Sequence, residues 1–103
     1  MLNLVIFDFP FEGPFGADMA TAFAPLAAEI DKQPGLIWKV WTEKPVEKSA
    51  GGVYLFADAA AADDFIELHS GRLESLGVTG VIINRHEVNE PLSVITNASL
   101  SRE

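Results

Sequence analysis

The sequence predicts an α+β domain with the order strand, helix, strand, strand, helix, strand and a four-stranded antiparallel sheet. Three observations carry that prediction. Short apolar runs without helical period recur at 2–9, 36–43, 53–57 and 79–88. Two longer stretches, 17–32 and 59–76, space their apolar residues by three and four. Gly, Pro and Asp punctuate nearly every junction. The chain has 103 residues, 49% hydrophobic and 21% charged, which suits one folded domain, 1–103, rather than a disordered segment.

Leu2 to Phe9 reads as a strand apolar on both faces, and Pro10 stops it. Glu12 to Gly16 is a turn by its Gly and Pro content. From Ala17 to Lys32, Met19, Phe23, Leu26, Ala27 and Ile30 form one helical stripe, with Asp18 suited to the first turn. Pro25 implies a kink or a shorter helix. Pro34-Gly35 ends it, and Leu36 to Glu43 is the second strand. After a charged loop, Gly51-Gly52 opens the third strand, Val53 to Ala57. Asp58 is placed to cap a helix running to about Leu76, with Gly77 as a left-handed end. Thr79 to Val88 is the fourth strand, and 90–103 is a tail with room for one short helix. This order is the split βαβ, or ferredoxin-like, arrangement, and right-handed crossovers put both helices on one side of the sheet.

The strands do not alternate apolar with polar, as a sheet with one wet face would. Trp38 and Val40 oppose Ile37 and Trp41; Val53 and Leu55 oppose Tyr54 and Phe56; Val81 and Ile83 oppose Ile82 and Val88. Two helices cover one face only. The second face therefore predicts a two-fold homodimer, sheet against sheet, with one tryptophan in the core and the other at the interface.

The net charge of -8 repels phosphate backbones and anionic lipid, so neither nucleic acid nor a membrane is an expected partner. Without cysteine there is no disulfide framework and no thiolate metal site. The apolar N-terminus has no basic leader region and Asp8 interrupts it, so it reads as a strand, and a cytoplasmic location is expected. No P-loop, GxGxxG or GxSxG motif is present.

GPFG at 13–16, PGLIWKVWTE at 34–43, AGGVYLF at 50–56 and VNEPLS at 88–93 resemble, in that order along nearly the whole chain, the YdhR family, whose members are described as monooxygenases on similarity of fold. The resemblance implies a dimeric α/β barrel, two ferredoxin-like subunits joined through their sheets. That class includes antibiotic-biosynthesis monooxygenases, which oxidise polycyclic phenols without cofactor or metal, and haem-degrading enzymes. The implied activity is a cofactor-independent monooxygenase acting on a hydrophobic aromatic or phenolic small molecule. The alternatives are a non-catalytic dimer that binds an apolar metabolite and a haem-degrading type of relative.

Such chemistry needs a base or anion-stabilising donor and a dry aromatic pocket. Phe65, Leu68, His69, Arg72 and Leu76 are expected on one stripe of the second helix, which brings His69 and Arg72 to the helix–sheet space. His69 suits proton transfer and Arg72 suits an oxyanion. The structural alternative is a hydrogen-bonded core histidine beside an arginine that snorkels or pairs with an acid. Trp38, Trp41, Tyr54, Phe7 and Phe23 are the candidate substrate walls, and strand parity sends some of these to the dimer side. His86 and Asn84 read as exposed or interfacial strand residues, and Asp63, Asp64 and Glu67 as a solvated helix face rather than metal ligands.

Overall fold

A computed structural model describes residues 1–102. The elements are β1 (Asn3–Pro10), α1 (Gly16–Asp31), β2 (Leu36–Lys44), β3 (Ser49–Phe56), α2 (Ala59–Ser75), β4 (Ile82–Glu87) and α3 (Glu90–Ile95). The four strands form one antiparallel sheet in the order β2-β3-β1-β4. This is the ferredoxin-like fold. Val5 and Phe7 of β1, Tyr54 and Phe56 of β3, Ile30 of α1 and Ala62, Phe65 and Leu73 of α2 share one buried cluster, so both helices cover the same face. No helix among the described residues is long and apolar enough to cross a membrane.

Local chemistry explains the boundaries. Asp58 accepts a hydrogen bond from the Ala61 amide at 2.8 Å and starts α2, and Gly77 closes it with φ +77°. Phe15, which precedes α1, offers no cap; the Glu43 carboxylate of β2 instead accepts the Gly16 amide at 3.1 Å. The helix continues through the exposed Pro25. β3 starts earlier than its apolar run because the hairpin ladder extends through the glycines to Lys44↔Ser49. β4 is shorter than its apolar run, since pairing with β1 ends at Asp8↔Ile82.

Two expectations change. The buried stripe of α2 is Ala62, Phe65, His69 and Leu73, whereas Leu68 and Leu76 are 47% and 68% exposed. Each residue turns the helix by 100°, so positions 65, 69 and 73 stay on the sheet side while 68 rotates outward; Leu76 keeps the stripe's angle but sits at the C-cap, past the last helical residue, Ser75. The second sheet face is also partly covered from within the chain. Its Leu55 is buried, while Val40 and Ile82 are 54% and 61% exposed. The tail leaves β4 at one sheet edge and reaches β2 at the other. There Trp38 Nε1 donates to the Ser99 carbonyl at 2.8 Å, and Arg102 donates to the carbonyls of Asp31 and Leu36.

Candidate active site

Gly52 makes the room that Lys39 and Tyr54 occupy at the site's floor. It faces the helices between Phe7 of β1 and Trp41 of β2. A Cβ there would lie 2.7 Å from Lys39 Cε and 3.1 Å from Tyr54 Cε1. The missing side chain lets Lys39 fold inward across the strand. Lys39 and Trp41 share a strand face, and Lys39 Nζ rests 3.3 Å from the centroid of the Trp41 ring and 4.6 Å from that of Tyr54.

Above this floor lies a cavity of about 460 Å³, a usual size for a small-molecule site. Trp41 and Phe23 stack at 6.3 Å, and Phe11 bridges Phe9, Phe15 and Phe23 at 5.7 to 6.2 Å. Met19, Leu26 and Leu73 complete apolar walls. Phe15 of the GPFG turn packs edge-on against Phe11, which lines the cavity.

The polar groups form a line. Tyr54 Oη lies 3.4 Å from His69 Nε2, and Arg72 Nη1 lies 3.5 Å from His69 Nδ1. A guanidinium only donates, so Nδ1 is the acceptor and the imidazole proton sits on Nε2. His69 then donates to the Tyr54 oxygen, which leaves the tyrosine hydroxyl hydrogen for another acceptor. Arg72 also meets Glu29 of α1 at 3.8 Å. Phe7 and Phe65 pack on the histidine ring at 5.2 and 4.9 Å and hold its orientation.

Burial, with help from the Lys39 and Arg72 charges, pushes the His69 pKa down to about 3. The imidazole is therefore neutral at neutral pH and a weak base. Burial raises the Tyr54 phenol against the opposing pull of Arg72, so it stays protonated. Lys39 is the group that titrates in range: burial, then the Arg72 charge, lowers its pKa to about 7. The Trp41 face opposes that shift by favouring the ammonium. Among the described residues no carboxylate pairs with Lys39, and no cluster of His, Asp and Glu has the form of a metal site.

The structure brings Trp41, Tyr54, Phe23 and His69 together around the cavity, with Arg72 behind His69. Phe7 is 1% exposed and backs the site rather than lining it. Trp38 lies away from it: the β2 register places it opposite Leu55 on the other sheet face, held by the tail. Lys39 was missed. Its signal was a cation inside the otherwise apolar run 36–41, two residues before Trp41 and in register with Tyr54.

Residues 4–99 match the family described as "Putative mono-oxygenase ydhR". Three solved structures share the fold. A mutant of SnoaB, a cofactor-independent oxygenase from Streptomyces nogalater, is 16% identical with a TM-score of 0.61, covering 85% of this chain and 93% of that one. A structural-genomics protein, YJCS, is 16% identical at TM-score 0.62, covering 86% and 100%. A "putative antibiotic biosynthesis monooxygenase" from Deinococcus radiodurans is 14% identical at TM-score 0.54, covering 86% and 93%. No curated protein sequence matches. With the match spanning all four strands and both long helices, the chain belongs to the YdhR family and is monooxygenase-like.

Proposed function

We propose that this protein is a cofactor-independent oxygenase acting on a planar phenolic or enolic aromatic held in the cavity between helices and sheet. The observation that carries this reading is an amine, Lys39, with no acidic partner among the described residues, set against the Trp41 face inside an aromatic cavity. The substrate would stack along Trp41 and Phe23. Lys39, as the neutral amine, takes the proton from the substrate hydroxyl, and the resulting ammonium pairs with the oxyanion. The free hydrogen of Tyr54 donates to the same oxygen, with His69 and Arg72 fixing the tyrosine. The electron-rich ring then supplies its own electrons to dioxygen. For a ring methylene the balance is CH2 + O2 → C=O + H2O: one oxygen atom enters the product and the other leaves as water.

The test is oxygen uptake with a panel of quinols and naphthols. The reading expects uptake matched one to one by carbonyl product, with Lys39→Met lowering the rate about 100-fold or more while the fold is kept. Quenching of tryptophan fluorescence by the same compounds, without uptake or product, would instead establish a binding protein. A haem-degrading role has less support, because both His69 nitrogens already face protein partners.

We also propose that two copies associate through the second sheet face. The exposed Val40 and Ile82 on that face support this reading, as does the apolar surface of Leu92, Val94 and Ile95 in the tail. Sedimentation at micromolar protein should give twice the subunit mass, and a lone subunit would refute it.

A further inference from the structure

We propose that Lys39 is also a covalent capture site, forming an imine with apolar aromatic aldehydes and ketones. The inference does not depend on the oxygenase reading.

Four observations converge on it. The amine lies against aromatic rings, and among the described residues no ion pair holds it as the ammonium. The Arg72 guanidinium disfavours a second positive charge nearby, and burial acts in the same direction. An amine desolvated in an apolar pocket beside another cation is the usual arrangement for a nucleophilic lysine. The stacked Trp41 and Phe23 rings give a flat carbonyl compound a surface beside that amine. Tyr54 adds a proton donor, since its oxygen already accepts from His69 and its hydrogen is uncommitted.

The step balances without a redox partner. The nitrogen lone pair of Lys39 adds to the carbonyl carbon. The carbonyl oxygen takes a proton, relayed through the Tyr54 hydroxyl, to give a carbinolamine. That hydroxyl then leaves as water as the C=N bond forms, and both hydrogens of the amine end up in the water. The remaining lysines, Lys32, Lys44 and Lys48, are exposed and lack these walls.

The test traps the imine. The protein is incubated at pH 7 with 2-naphthaldehyde and cyanoborohydride, which reduces the C=N bond to a stable secondary amine, and the adduct is mapped by peptide mass spectrometry. Lys39 should carry one naphthylmethyl group at least about tenfold faster than any other lysine, because its neutral fraction is far larger. Labelling of Lys39 should fall at least tenfold at pH 5. Propionaldehyde, which cannot stack, should label Lys39 more slowly than the aromatic aldehyde. Label spread over the exposed lysines, with Lys39 unmodified, would overturn the proposal; equal labelling of Lys39 by the two aldehydes would overturn the aromatic class. Lys39→Met, with its fold verified by circular dichroism, should lose the cavity adduct.

Discussion

Lys39 makes a prediction that needs no substrate. In the unfolded chain its ammonium titrates near 10.5, and in the folded protein near 7. Between pH 7 and 9 the unfolded chain keeps its proton while the native state releases one. Stability must therefore rise with pH across this window. Integrating the proton difference from pH 7 to 9 gives about 1.7 pH units, or about 2 kcal/mol at 1.36 kcal/mol per unit. Below pH 7 both states are protonated and the native state bears the full penalty of a buried charge. The assay is urea unfolding at half-unit pH intervals, wild type beside Lys39→Met, which keeps the stem and removes the charge. The wild-type curve should climb about 2 kcal/mol more than the variant's over the window. A cation–π contact of the kind seen at Trp41 is worth about 0.5–2 kcal/mol to the ammonium and works against the effect. Parallel curves for the two proteins, or a Lys39 side-chain NMR titration midpoint above 10, would show that the ring outweighs desolvation and would remove the neutral amine from the mechanism.

Three further outcomes follow from named contacts. His69, held to about pKa 3 against an ordinary 6.5, makes the fold acid-sensitive: stability is lost as pH falls from 6.5 toward 3, by at most about 5 kcal/mol, and His69→Gln should flatten that limb. A His69 ring proton titrating near 6.5 by NMR would refute this. Gly52→Ala should push Lys39 out of place, since the new methyl would meet Cε at 2.7 Å; ligand quenching of tryptophan fluorescence should weaken at least tenfold while circular dichroism is unchanged. Arg102→Ala removes donors to the Asp31 and Leu36 carbonyls and should lower stability by about 1 kcal/mol, with faster amide exchange confined to the tail; unchanged exchange there would deny the tail its anchor.

Much of the fold was legible because its signals are local. The Asp58 cap, the Gly77 end and the 16–31 stripe depend on residues within one or two helical turns of each other. What was not legible depends on partners far along the chain. The amide of Gly16 is satisfied by Glu43, 27 residues away, and no local pattern shows it. The tail anchors on Trp38 from 61 residues away, so a face read as bare proves partly dressed. At the site, strand parity separated Trp38 from Trp41 but could not say which met the helices, because register against β3 decides that.

Lys39 was hidden for a different reason. A lysine is normally solvated, so a single one in a strand reads as a surface position. Three neighbours reverse that meaning only when the sheet is assembled. Gly52 vacates the space into which the stem bends, Trp41 supplies the surface for the ammonium, and Arg72 from α2 adds the charge that favours its loss. Each comes from a different element. The histidine suits proton transfer by type, but the fold that buries it also strips it of basicity. The division of labour follows from burial. In the proposed reading His69 and Arg72 orient Tyr54, and the proton-accepting role falls to the Lys39 amine. A His69→Asn variant can still offer an amide hydrogen toward Tyr54 but cannot titrate. If His69 positions rather than accepts, that variant should keep the pH midpoint of any turnover near 7, and Lys39→Met should abolish it. A midpoint that moves with His69 and ignores Lys39 would invert the assignment.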